Sequence, residues 1–349
     1  MKILIVKTSA FGDIVQSFDV LEYLKEKYPS AKVDWVSSLK TKELIQAHPL
    51  INKVISFDLK NEGSASSFSK FLKLVKILRA SSYDIVFDLQ GNSKSALITS
   101  LAKAKDKVGF GSKSISEWPN LLSTDFQYDI SKNLNIRLQY LNLVQSYFQD
   151  KKPFFSKKRL LKITDNEKAN ICSVLKNPKL KETKILICPS AKWKNKELNF
   201  STLFEFMSLI NKNLNVSFLL LWGDEKEKKV AVELFNCFKD NSLLLDKLSL
   251  PALQNMIKDL SLVVAMDSCP LHLAGSVDVP SFSFFGPTKA EVYKPIGCRH
   301  FALQGKCPFG RNFSKRCALL RSCASSKCIQ GFDSQKSFQV FMGWWDSLK

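Results

Sequence analysis

The chain has 349 residues, 45% of them apolar, with 52 Lys and Arg against 32 Asp and Glu, a formal net charge of +20. That length and apolar content predict a large buried core and two domains, while no apolar run nears the ~20 residues that cross a bilayer and the lysine-interrupted N-terminus predicts no secretory signal, hence a cytoplasmic protein. The charge, heavier after residue 150 than before it, predicts an acidic partner, whether nucleic acid, an anionic membrane or a phosphorylated substrate, although no nucleic-acid-binding module is recognisable.

Residues 3–6 are an unbroken aliphatic run, the pattern of a strand buried on both faces of a parallel sheet. Lys7-Thr8-Ser9-Ala10-Phe11-Gly12-Asp13 then leads into a helix expected from near Ile14. Asp13 therefore stands where a strand gives way to a helix, the edge at which open α/β sheets bind ligands, though the same place suits a simple helix cap. Residues 32–37 and 53–57 alternate like strands around a short helix at 42–47. Residues 61–67, rich in Gly and Ser, predict a loop, and 68–79 a helix whose apolar stripe is flanked by Lys70, Lys73, Lys76 and Arg79, suited to an anionic acceptor. Residues 84–89 form a further strand, and Gln90-Gly91-Asn92-Ser93-Lys94-Ser95 repeats the first junction, aiming Gln90 and Lys94 at the same edge as Asp13. A short strand and glycine turn are expected at 107–111. The Lys/Phe-rich bridge over 151–162, with Pro153, sets the domain boundary, giving domains at 1–160 and 161–330.

The pattern restarts with a buried strand at 184–188. Lys192, Lys194 and Lys196 follow it, ahead of a helix from Phe200, and suit a phosphate-binding loop. A strand at 216–222 ends in Gly223-Asp224-Glu225-Lys226-Glu227, where a carboxylate can accept ribose hydroxyls or merely begin a helix. The densest signal is the strand at 262–266 followed by Asp267-Ser268-Cys269-Pro270-Leu271-His272: a cap from Asp267 or Ser268, Pro270 in the first turn, and exposed helix amides ready for an anion. One more strand, 279–285, ends at Gly286-Pro287-Thr288. The nine cysteines predict reduced thiols. Cys307, Cys317, Cys323 and Cys328 crowd one loop-rich stretch without a Cys-x-x-Cys pair, which leaves little to encode a structural zinc. Residues 331–349 predict a final helix with Phe338, Phe341, Met342 and Trp345 on one face, expected to pack back on the N-terminal domain, with lipid contact as the alternative.

Taken together, the stretch from Lys7 to Asp13, Asp88-Leu89-Gln90-Gly91 with Lys94-Ser95, Trp222-Gly223, Asp267-Ser268 with His272-Leu273-Ala274, and Phe285-Gly286-Pro287-Thr288 resemble glycosyltransferase family 9, its ADP-heptose:lipopolysaccharide heptosyltransferases and above all the heptosyltransferase I branch. The resemblance implies a GT-B fold, two Rossmann-like, doubly wound parallel-sheet domains facing across a cleft, the first binding an acceptor and the second a nucleotide sugar. By motif match, Asp13 falls on the catalytic base and Lys196 on the lysine that contacts the donor's phosphates. Ser190, Ala191, Glu227, Leu248, Asp267, Ser268, Cys269 and His272 fall on donor positions, Glu227 for the ribose and Leu248 for the adenine. Lys7, Ser9, Gly12, Gln90, Lys94 and Lys113 fall on the acceptor side.

Two departures stand out: Cys269 occupies a position where the family has glycine, and an extra residue in the 188–199 loop favours Lys196 over Lys194 and Lys192. The implied activity is inverting transfer of heptose from ADP-heptose to the Kdo of Kdo-lipid A, in lipopolysaccharide inner-core synthesis. The implied setting is a monomer peripheral to the anionic cytoplasmic face of the inner membrane. No Asp-x-Asp motif occurs, so neither metal nor cofactor is expected. The alternatives are a family 9 transferase with another sugar or acceptor, a GT-B nucleotide-sugar 2-epimerase and, last, a non-enzymatic binder of anionic surfaces.

Overall fold

Backbone pairing turns the aliphatic runs into two separate parallel sheets. The computed structural model describes residues 1–57 and 64–349, and of residues 64–68 the backbone alone. The chain divides into two units, Met1–Arg159 and Leu160–Lys349. In the first, β1 (Lys2–Val6), α1 (Phe11–Lys27), β2 (Lys32–Ser38), α2 (Lys42–Gln46), β3 (Lys53–Phe57), α3 (Ser64–Arg79), β4 (Ser82–Asp88), α4 (Ser93–Leu101), β5 (Lys103–Phe110), β6 (Phe126–Tyr128) and α5 (Ile136–Tyr147) follow in order. In the second come α6 (Asp165–Leu175), β7 (Thr183–Cys188), α7 (Phe200–Asn213), β8 (Val216–Leu220), α8 (Glu225–Cys237), β9 (Ser242–Leu244), α9 (Leu250–Ile257), β10 (Leu262–Met266), α10 (Cys269–Val277), β11 (Ser281–Phe285), α11 (Ala290–Tyr293), β12 (His300–Gln304), α12 (Lys327–Gln330) and α13 (Ser334–Asp346).

Each sheet has six strands. The first runs β3-β2-β1-β4-β5-β6 and the second β12-β11-β10-β7-β8-β9, which, read from the other edge, is the same doubly wound order. The chain begins each sheet in the middle and winds to one edge before returning to fill the other. The central pairs are β1 with β4 and β7 with β10, both parallel. Their side chains carry the cores: Ile3, Leu4, Ile5 and Val6 are wholly inaccessible, as are Leu262, Val263 and Ala265. Continuous burial on both faces is why these strands read as unbroken apolar runs.

Two expectations change. Residues 61–63 of the expected loop lie outside the described residues, but 64–67 belong to α3, since Ser and Ala do not interrupt a helix that Leu74 and Leu78 anchor further along. The strand expected at 107–111 begins four residues earlier, because pairing with β4 carries the charged stretch from Lys103 through the ladder. The last helix buries its aromatic stripe within the second unit. In α13, Phe341 is wholly buried, with ring centroids 5.6 Å from Phe206 and 5.3 Å from Phe282. Trp344 closes over Phe282 and Phe301. The aromatic face of β11 offers this stripe a partner within its own unit, so the hydrophobic effect is satisfied there. Among the described residues no helix is long and apolar enough to cross a membrane.

Candidate active site

The polar groups singled out by the sequence collect at the switch point of each sheet, where connections leave neighbouring central strands in opposite directions. In the first unit these are the segments after β1 and β4. Helix α1 starts at Phe11, earlier than expected, with Ala10 as its N-cap, so Asp13 is the third helical residue rather than the one before the helix. Its half-buried carboxylate accepts from Ala10 N at 3.4 Å, at the positive end of the helix dipole.

The loop before it is held from β4. Gln90 Oε1 accepts from Thr8 N at 3.1 Å and Ser9 N at 3.3 Å. Gln90 is in turn placed by Asp88, a wholly buried carboxylate. Asp88 Oδ1 accepts from Gln90 N and Gly91 N, each at 2.9 Å, while Oδ2 accepts from Thr99 Oγ1 at 3.0 Å and Asn120 Nδ2 at 2.6 Å. Gly91 takes φ +68°, a left-handed turn that costs glycine little. Lys7 is buried beneath this junction, its Nζ 3.3 Å from Leu89 O and 4.6 Å from the Tyr140 ring centroid. Burial pulls its ammonium below the usual lysine range, opposed by the charges of Asp13 and Asp88.

In the second unit the segments after β7, β10 and β11 converge on Asp267. Lys196, in a single 3₁₀ turn (Lys194–Lys196), places Nζ 2.5 Å from Asp267 Oδ2. Thr288 Oγ1 donates to the same oxygen at 2.7 Å, and His272 Nε2 lies 3.6 Å from Oδ1. Burial alone would raise the Asp267 carboxyl, but Lys196 and His272 outweigh it and hold it well below the usual carboxylate range. Ser268 caps α10 through its backbone conformation, its hydroxyl turned to Met266 O at 3.3 Å, which leaves the amides of the first turn of α10 to other acceptors. Cys269 sits half-buried in that turn, where desolvation pushes its thiol up to about 12, so it stays protonated at neutral pH.

The remaining donor candidates lie on the same unit. Ala191 N donates to Glu197 Oε1 at 3.0 Å beside the half-buried Ser190. Glu227 Oε2 accepts from Gly223 N at 2.7 Å, its carboxyl raised by burial. Leu248 is half-buried just before Ser249, the N-cap of α9. On the first unit, Ser9, Lys94 and Lys113 are exposed, and Gly12 is half-buried in the first turn of α1.

Sequence reasoning missed Thr288 as a partner of Asp267 and Asn120 as a partner of Asp88. It also left the cysteine stretch without a role. That stretch braces the site: Cys317 N donates to Pro287 O at 2.7 Å, Arg316 bridges Thr288, Asn195 Nδ2 donates to Leu320 O at 2.9 Å, and Ser326 Oγ donates to Asn195 Oδ1. Among the described residues no group of three or more His, Cys, Asp or Glu is arranged to hold a metal ion.

Two doubly wound units in one chain, each with polar groups gathered at its switch point, have the architecture of the GT-B fold. Solved structures share this architecture: E. coli heptosyltransferase WaaC with ADP matches at a TM-score of 0.76 and 21% identity over 99% of this chain and 100% of that one. E. coli ADP-heptose lps heptosyltransferase II matches at 0.70 and 18%, over 98% and 100%. The chain belongs to glycosyltransferase family 9 (heptosyltransferase), whose profile matches residues 71–322. Among its relatives, lipopolysaccharide heptosyltransferase 1 of Campylobacter coli is 30% identical over 296 residues, 82% of this chain and 84% of that one.

Proposed function

We propose that this enzyme transfers heptose from ADP-heptose to the Kdo of Kdo-lipid A, with inversion and without a metal, in the assembly of the lipopolysaccharide inner core. The observation that carries the reading is the Lys196–Asp267 pair at the start of α10, in a family 9 chain with 30% identity to a lipopolysaccharide heptosyltransferase 1.

Asp13 is the base in this reading: it takes the proton of the acceptor hydroxyl as that oxygen attacks the anomeric carbon, and its place on the first turn of a helix fixed to a central strand keeps the carboxylate oriented. The glycosidic C–O bond to ADP breaks as the new one forms on the opposite face, which inverts the centre. Negative charge grows on the departing diphosphate, and the Lys196 ammonium and the first amides of α10 stabilise it. Asp267, itself held by Thr288, keeps Lys196 in position, and His272 stands 3.6 Å from the other carboxylate oxygen. Glu227 takes the ribose hydroxyls and Leu248 packs on the adenine. Lys7, buried behind Asp13, contributes its charge to that carboxylate, while Lys94 and Lys113, both exposed, meet the anionic groups of the acceptor.

Incubating the enzyme with ADP-heptose, with and without Kdo-lipid A, tests the reading. ADP release is expected only when both substrates are present, with one heptose added per ADP. Conversion of the donor sugar without an acceptor would point to epimerase chemistry, and no acceptor-dependent release would remove the proposal.

A further inference from the structure

One face of the first unit, formed by α3, α4 and the turn packed on α4, leaves large apolar side chains exposed beside cations. Helix α3 buries Leu74 and Leu78 against the sheet but leaves Leu72 49% and Ile77 40% exposed. Lys73, Lys76 and Arg79 interleave with them on the outward side. Helix α4 lies beside α3 and leaves Leu97 47% exposed. Against α4 packs the 3₁₀ turn Trp118–Ser123, in which Trp118 is 69% and Leu122 80% exposed. Neither α3 nor α4 contains an acidic residue. The nearby Glu117 accepts from Ser93 N at 2.9 Å, which sets Trp118 next to the start of α4 and to Lys94.

Large exposed apolar side chains scattered singly need no explanation, but five on three adjacent elements, threaded with cations and free of acids on both helices, form a patch of the kind that marks an interaction surface. The composition selects the partner. An aliphatic and tryptophan surface rimmed by lysine and arginine matches a bilayer with anionic headgroups, where the apolar groups enter the acyl boundary and the cations stay with the phosphates. We infer that the α3–α4 face with the 3₁₀ turn at Trp118 docks this enzyme on an anionic lipid surface. The inference deepens the proposed function and rests on it for one point: an acceptor anchored in lipid has to be met at the membrane, and Trp118 flanks the switch-point end of α4 where Lys94 stands.

Flotation with vesicles, in the absence of donor and acceptor, tests the surface separately from the chemistry. The full chain is expected to float with vesicles of about 30% phosphatidylglycerol in phosphatidylcholine, and to float poorly with pure phosphatidylcholine or in about 0.5 M salt. The double variants Lys73→Gln/Lys76→Gln and Trp118→Ser/Leu122→Ser should each reduce the bound fraction about fivefold. The second should still transfer heptose to a deacylated, water-soluble acceptor at the parent rate. All four positions are exposed, and thermal melting checks that both variants fold. Equal flotation of both variants and the parent would overturn the inference. So would a concentration-dependent self-association without lipid that Trp118→Ser/Leu122→Ser abolishes, since the face would then join copies of the chain. A parent that floats as expected but transfers no heptose would support this surface and overturn the transfer reading.

Discussion

Asp13→Asn is expected to slow heptose transfer about a thousandfold while leaving ADP affinity within about twofold of the parent. The side-chain oxygen of asparagine can still accept from Ala10 N, so the turn into α1 keeps its hydrogen bond and the fold has little reason to change. What disappears is the group that accepts the hydroxyl proton. Single-turnover rates with saturating donor, set beside calorimetric ADP binding, separate these effects. A rate loss below about tenfold would take the base role from Asp13.

Asp267→Asn should act on the second unit alone, and on two properties at once. Lys196 would lose its carboxylate partner in a largely buried setting, a change expected to cost about 3 kcal/mol of stability. ADP affinity should fall about tenfold or more as the ammonium loses its fixed place. The pH dependence has a defined sign. Because the Asp267 carboxyl lies below its usual range in the folded protein, its contribution is complete above about pH 4, the unfolded value, and is lost as pH falls further toward the folded value. Urea titrations should therefore show a constant gap between parent and variant from neutral pH down to about pH 5, and a narrowing gap below about pH 4. A gap that widened on acidification would contradict the ion pair.

The central strands were legible because burial on both faces leaves a continuous apolar run, and the switch-point loops were legible because polar residues follow those runs directly. Partners across the sheet were not. Thr288 reaches Asp267 only because β10 and β11 are neighbours in register, Met266 opposite Phe284, so that the residues just beyond each strand come together. Nothing in the spacing of 267 and 288 announces that adjacency. Asn120 is hidden for the same reason, since it meets Asp88 through a turn packed on α4. The stripe of aromatic residues on the final helix specifies burial but not against which sheet, and the partner it meets, the aromatic run on β11, is a neighbour that spacing along the chain does not announce. The edge strands β6 and β12 gave little signal, being short or only partly covered.

The winding order of the two sheets also governs how water gains access to the backbone. Amide hydrogens of β1, β4, β7 and β10 are enclosed by strands on either side, whereas β3, β6, β9 and β12 end their sheets. Deuterium should enter from these margins and reach the middle strands last, leaving the segments that hold Asp13 and Asp267 tied to the slowest-exchanging parts of each unit.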